Sequence, residues 1–255
     1  MFNQNVVVNG ERPLPECLQS MNTFNDLQSF QAIDEENGLL IYQHYKKAVN
    51  WTDDLRQSIK LKLKIGNNIK RGKERGGYAR KYVCSGKRKD PKGTDVGSYK
   101  NKPSTNKMEE AYCEKLISKI NQIFYSKVKK CIPECERKFQ ESCKSMIQIE
   151  AVCDDPEAGV QFCIGLEYWS TYHYNKDLLY SILSVMCDGC DPQDIIYYFS
   201  FPDYRLKVPL RQGDILVFNP LVFHCCSNPL KSNAYIFSQY SSQKTLLCRG
   251  SNVSF

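Results

Sequence analysis

Histidine is scarce in this chain, with only His44, His173 and His224 among 255 residues. Any imidazole-based centre must be drawn from these three. Long apolar runs are missing as well: nothing approaches the roughly 18–20 consecutive apolar residues of a spanning helix, so no membrane partner is expected. The opening stretch MFNQNVVVNGERPLPE has a short valine run but no basic start and no long apolar region. That is not the pattern of a secretory signal, so an intracellular protein, nuclear or cytoplasmic, is expected. No internal repeat is visible, which sets aside solenoids and arrays. Oligomeric state has no signature here. Wholesale disorder is excluded by an ordinary balance of 42 % hydrophobic and 25 % charged residues. A chain of this length can bury a core as one large domain or two small ones.

Cysteine, by contrast, is abundant, at 13 residues. Intracellular thiols are normally kept reduced, and cysteines in apolar runs behave as small hydrophobes. Cys163, Cys225 and Cys226 are therefore expected in the core. The pair Cys187 and Cys190 in CDGC has the spacing of redox and zinc sites, and Cys131 with Cys135 could complete four sulfur ligands. A hairpin turn at Asp-Gly, with free thiols, is the competing expectation.

Charge is unevenly distributed. Residues 60–107 contain 16 Lys or Arg against 3 acids, a balance of +13 within a chain of net charge +7, so the remainder carries 7 − 13 = −6. Half of the 14 glycines also lie in this segment. With few large apolar residues, such a stretch cannot offset its ordering entropy, and a flexible or partly ordered insertion is expected. Lys70, Arg71, Lys73, Arg75, Arg80, Lys81, Lys87, Arg88 and Lys89 form clusters that suit phosphate neutralisation, and Tyr78, Tyr82 and Tyr99 among them could stack on bases. The same clusters resemble a bipartite nuclear-import signal. A solvated linker is the bland alternative.

Elsewhere the texture is helical first and strand-like later. Residues 28–50 read as helix broken near Gly38. Residues 108–130 form the clearest helix, with Leu116, Ile117, Ile120, Ile123 and Phe124 at three- and four-residue spacing, and a second helical piece runs to about Ile149. His44 then falls on a helix, at a surface or an interface. From residue 151 onward, short β-branched and aromatic runs alternate with Gly, Asp, Asn and Pro signals, which suggests a sandwich or barrel. The expected fold class is α+β, a helical N-terminal half packed on a C-terminal jelly roll. Its parts are a helical support at 1–59, the basic insertion at 60–107, support helices at 108–150 and the jelly-roll core at 151–255.

Two stretches carry chemistry. WSTYHYNKDLLYS holds His173, with Asn175 two places on and Asp177 four places on; QGDILVFNPLVFHCC holds His224. A histidine near a strand end, a polar residue two on, then GDILVF leading to a second histidine resembles the double-stranded β-helix of Fe(II)/2-oxoglutarate-dependent dioxygenases over roughly residues 158–245. Such iron sites take two neutral imidazoles and one carboxylate on one face, leaving three positions for co-substrate and oxygen. The family's carboxylate stands two residues after the first histidine, where an extended chain brings both side chains to one side about 7 Å apart. Here that position is Asn175. Asp177 has the same parity but would lie about 13 Å along a regular strand, so it becomes a ligand only if the chain bends at NKD.

The resemblance implies Fe(II) held by His173 and His224 with Asp177 or Asn175, and 2-oxoglutarate as co-substrate. The family anchors that co-substrate with Arg or Lys on the last strand, whereas Lys231, Tyr235, Ser238 and Tyr240 are what this chain offers there. Trp169, Tyr172 and Tyr180 are candidate pocket walls. The implied activity is C–H hydroxylation, and the basic segment directs attention to a nucleic-acid base. A catalytically inactive jelly-roll module that binds nucleic acid or protein through its basic segment is the alternative.

Overall fold

The computed structural model describes residues 22–23, 30–34, 36, 40–69, 77–89, 96–103, 105–131, 161–175, 177 and 180–240. Chain order runs β1 (Asn22–Thr23), β2 (Phe30–Ile33), β3 (Leu40–Tyr45), α1 (Asp53–Ile65), β4 (Gly77–Tyr78), β5 (Lys81–Ser85), β6 (Lys87–Lys89), β7 (Val96–Ser98) and α2 (Lys107–Cys131). It continues through β8 (Gln161–Leu166), β9 (Trp169–Ser170), β10 (Ser181–Cys187), β11 (Ile195–Phe201), β12 (Leu206–Arg211), β13 (Ile215–Phe218), β14 (Cys225–Cys226) and β15 (Ala234–Tyr240).

A seven-stranded sheet, in the order β2-β3-β13-β10-β15-β8-β5, forms the middle layer. One face is covered by α1 and α2, and the other by a four-stranded sheet in the order β1-β12-β11-β14. Side chains on a strand alternate between faces, so a strand covered on both sides reads as an unbroken apolar run rather than as an alternation. On β13, Ile215 and Val217 pack toward the helices while Leu216 and Phe218 face the smaller sheet. On β15, Tyr235 and Phe237 take the helical side and Ala234 and Ile236 the other.

Each helix has a local reason for its position. Thr52 caps α1 by accepting from the Leu55 backbone N–H at 3.5 Å, Asp53 and Asp54 sit in the first turn, and Lys62 and Lys64 in the last. Leu55, Ile59 and Leu63, four residues apart, bury one stripe. Helix α2 buries Leu116, Ile117, Ile120 and Phe124 against the same sheet face, as the spacing predicts. Lys62 is buried between the helices, its ammonium 2.7 Å from Glu114 Oε1 and 3.0 Å from Asn101 Oδ1.

The expected helical N-terminal half is not what the described residues form. The 28–50 region contributes β2 and β3, which extend the large sheet next to β13. LIYQHY is β-branched and aromatic and pairs in register with Ile215–Phe218, so sheet pairing outweighs the weak helical period. His44 is accordingly on a strand and buried. Its Nε2 donates to Asp214 Oδ2 at 2.9 Å, and that carboxylate also accepts the backbone N–H groups of Lys47 and Arg211. Gly213 beside it has φ +81°, and a Cβ there would stand 2.3 Å from the Val49 carbonyl oxygen, which only glycine avoids.

Part of the basic segment also belongs to the body. Strand β5 lies at the edge of the large sheet with Tyr82, Val83 and Cys84 buried. Cys187 and Cys190 form a disulfide around the Asp188-Gly189 turn, in place of free thiols or a zinc framework. Lys70, Arg71, Lys73, Arg75, Cys135 and the second helical piece lie outside the described residues. No described helix is long and apolar enough to cross a membrane.

Candidate metal centre

His173 follows β9 and His224 precedes β14, and an isolated antiparallel bridge joins them. The N–H of each donates to the carbonyl of the other at 2.9 Å, and the ring centroids stand 4.5 Å apart. The turn that delivers His224 is built by Asn219, whose Oδ1 accepts from Leu221 N–H at 3.0 Å and whose carbonyl accepts from Val222 N–H. Phe199 stacks on the His224 ring at 5.4 Å and Phe218 meets it edge-on at 4.9 Å. The imidazole is thus held from both sheets.

Tautomers follow from the neighbours. His173 Nδ1 lies 2.7 Å from the Thr171 carbonyl and His224 Nδ1 2.7 Å from the Val222 carbonyl. A carbonyl oxygen only accepts, so both Nδ1 atoms carry the proton and both Nε2 atoms carry the lone pair. A metal-binding imidazole needs this arrangement, with the far nitrogen tied to a backbone oxygen. Burial pushes His224 down to about 3, helped by the neighbouring His173, so it is neutral in ordinary buffers.

Both rings open on a cavity of about 190 Å³ between the two sheets. Asn175 and Asp177 line the same cavity as the two rings. Asp177 receives the Ser181 hydroxyl at 3.4 Å, and burial raises its carboxyl to about 7. Among the described residues no cation faces it. A divalent ion in the cavity would favour the ionised form of the carboxyl that burial disfavours. The donor chemistry therefore suits a metal of the iron class: two imidazole Nε2 atoms and one carboxylate at a single cavity. Among the described residues no three His, Cys, Asp or Glu side chains form a group that could hold a metal ion as they stand.

The remaining site expectations divide. Ser238 and Tyr240 line the cavity, on the β15 face opposite to Tyr235. Tyr235 points to the helical side, its hydroxyl 3.2 Å from Asp188 Oδ2, and Lys231 pairs with Asp194 at 2.8 Å in a loop; neither lines the cavity. Trp169 stacks on Tyr78 instead, Tyr172 packs with Cys225, and Tyr180 borders the helical-side core. The walls are Tyr82, Tyr168, Ser170, Cys163 and Phe199, which the sequence reading had not assigned to the site. Strand parity was the available signal, since Cys163 and Tyr82 alternate with residues that face the helices. Gly165 makes room for Tyr168, because a Cβ there would lie 2.8 Å from the Tyr168 Cβ. Among the described residues lining the cavity there is no Lys or Arg. Of the expected nucleic-acid residues, Arg80 pairs with Glu167 at 3.6 Å, and Lys81 is half-buried, its ammonium lowered by burial and then by Lys102. Lys87, Arg88 and Lys89 form β6 in a small hairpin with β7.

No family model and no curated protein matches this chain. Solved structures do. NgTET1 in complex with 5mC DNA superposes with a TM-score of 0.57 over 91 % of this chain and 88 % of its own, at 13 % identity. A viral collagen prolyl hydroxylase from Paramecium Bursaria Chlorella virus-1, in a 2OG complex, matches over 78 % of this chain and 94 % of its own at 13 % identity, with a TM-score of 0.36 that is too low to bear weight. The fold is the one seen in NgTET1, a mostly β jelly roll with two described helices.

Proposed function

We propose that the protein is an Fe(II)- and 2-oxoglutarate-dependent oxygenase that hydroxylates a C–H bond, with a nucleic-acid base as the substrate class. The observation that carries this reading is the bridged pair His173 and His224, each with its proton fixed on Nδ1 and its lone pair on Nε2, beside one cavity that also holds Asp177. Those three residues would hold the iron, with Asp177 preferred to Asn175 because a carboxylate offsets the charge of the ion and a neutral amide does not. When bound, iron in such a site activates oxygen for insertion into a C–H bond.

The chain's own contribution is positional. The Thr171 and Val222 carbonyls orient the two imidazoles, Phe199 and Phe218 keep water from the His224 side, and Ser181 steadies Asp177 through its hydroxyl. Hydroxyls of Ser238, Tyr240 and Tyr82 are the groups that could receive a co-substrate carboxylate. The nucleic-acid assignment draws on the basic balance of residues 60–107 and on the fold shared with NgTET1, seen there with 5mC DNA.

Anaerobic titration with Fe(II) and then 2-oxoglutarate tests the reading. Folded protein is expected to develop a metal-to-ligand charge-transfer band that vanishes in His173→Ala and in His224→Ala. Folded wild-type protein without that band overturns the oxygenase reading. Salt-sensitive DNA binding that survives both histidine changes then points to a non-catalytic module.

A further inference from the structure

The catalytic reading leaves a pair of buried thiols unused. Cys84 on β5 and Cys163 on β8 are direct cross-strand partners in the antiparallel register. Neither is part of a disulfide, and their sulfur atoms lie 2.7 Å apart. Directly opposed residues in antiparallel strands have Cβ atoms about 4.5–5.5 Å apart, within modest reach of the 3.5–4.5 Å that a disulfide spans. Cys163 also lines the cavity, which Cys84 does not, and its Sγ lies 3.3 Å from the Tyr240 hydroxyl, so of the two sulfurs it is the one that borders the cavity. Cys84 stands behind it on the edge strand of the sheet.

We propose that Cys84 and Cys163 form an oxidation site that closes to a disulfide when hydrogen peroxide enters the cavity. The Cys163 sulfur attacks the peroxide, the O–O bond breaks, and water leaves as Cys163 becomes a sulfenic acid. The Cys84 sulfur then displaces the hydroxyl: an S–S bond forms, the S–O bond breaks, and the Cys84 proton departs with that hydroxyl as a second water. Two thiols are oxidised by two electrons and one peroxide is reduced to two waters. The product ties edge strand β5, which sits within the basic segment, covalently to β8. A thiol reductant reverses it. The Cys187–Cys190 disulfide lies within a single turn and serves as an internal reference.

The test is peptide mapping of the full chain after brief treatment with stoichiometric hydrogen peroxide, with alkylation in denaturant. Expected is a peptide joining residues 84 and 163, reversed by dithiothreitol, together with a melting temperature raised by roughly 5–15 °C in the absence of reductant. In Cys84→Ser, Cys163 should accumulate as sulfenic or sulfinic acid with no cross-link and no melting shift. Full alkylation of both cysteines under conditions that oxidise glutathione overturns the proposal. So does oxidation of Cys84 while Cys163 stays reduced, or a cross-link from Cys163 to any other cysteine.

Discussion

Asp177→Asn should separate the cost of the site from its use. The Asp177 carboxyl is raised from 3.8 to about 7 by burial, with only the Ser181 hydroxyl opposing. In the folded protein the group stays protonated up to about pH 7, whereas in the unfolded chain it ionises near pH 4. Between these values the unfolded state binds fewer protons, so the contribution of Asp177 to stability falls as pH rises and levels off above about pH 7. A shift of that size corresponds to about 4 kcal/mol for a fully enclosed group; Asp177 is half-buried, so about 2 kcal/mol is expected. Asparagine removes the ionisation and keeps the shape. In chelator, urea unfolding should find the variant more stable than wild type by about 2 kcal/mol near pH 8, with the gap shrinking toward zero near pH 4. Added divalent metal should reverse the order, since ligand at one hundred times its Kd stabilises wild type by about 2.7 kcal/mol and the variant by less. A variant less stable than wild type at pH 8 without metal, or a gap indifferent to pH, would refute the reasoning.

Other expectations rest on separate features. Replacing His224 by Ala should lower Fe(II) affinity by at least about tenfold to a hundredfold in anaerobic equilibrium dialysis, because one of two imidazole donors is lost. His44→Leu should destabilise by about 3–5 kcal/mol in urea unfolding, since it leaves the buried Asp214 carboxylate without its ring partner. Glu114→Ala should cost about 1–3 kcal/mol by the same measurement, because it removes the carboxylate from the buried Lys62 ammonium and leaves the Asn101 amide oxygen beside it. Tyr240→Phe, which leaves the ring but not the hydroxyl, should weaken 2-oxoglutarate binding roughly fivefold in the charge-transfer titration.

What could be read from the residues, and what could not, follows the reach of each signal. Helix α2 was legible because Leu116, Ile120 and Phe124 repeat at helical spacing over a long stretch. The strands after residue 160 were legible from their turn punctuation, and the histidine pair from GDILVF and its neighbours. Strand β3 was misread because LIYQHY is short and apolar on both faces, which leaves no period to distinguish it from helix. Strand β5 was hidden because KYVCS is a brief buried run inside a segment whose average is set by lysine and arginine. Tyr235 was placed in the site by distance from His224, although alternation along β15 puts it with Phe237 on the helical face. The placing of Asn175 depends on tertiary pairing, visible in its N–H bonded to the Pro220 carbonyl, which local sequence does not encode.

The mutual backbone bonds between His173 and His224 work as a clasp. The gap between the imidazoles is set where the two strands touch, not by the length or composition of the roughly fifty residues strung between them. Turns of that stretch that stand apart from the site, such as the one closed by Cys187 and Cys190, can therefore change in length or charge without retuning the grip so long as Asp177, Phe199, Phe218 and Asn219 keep their places, which leaves evolution free to alter what the protein greets at its surface while the jaws stay the same width.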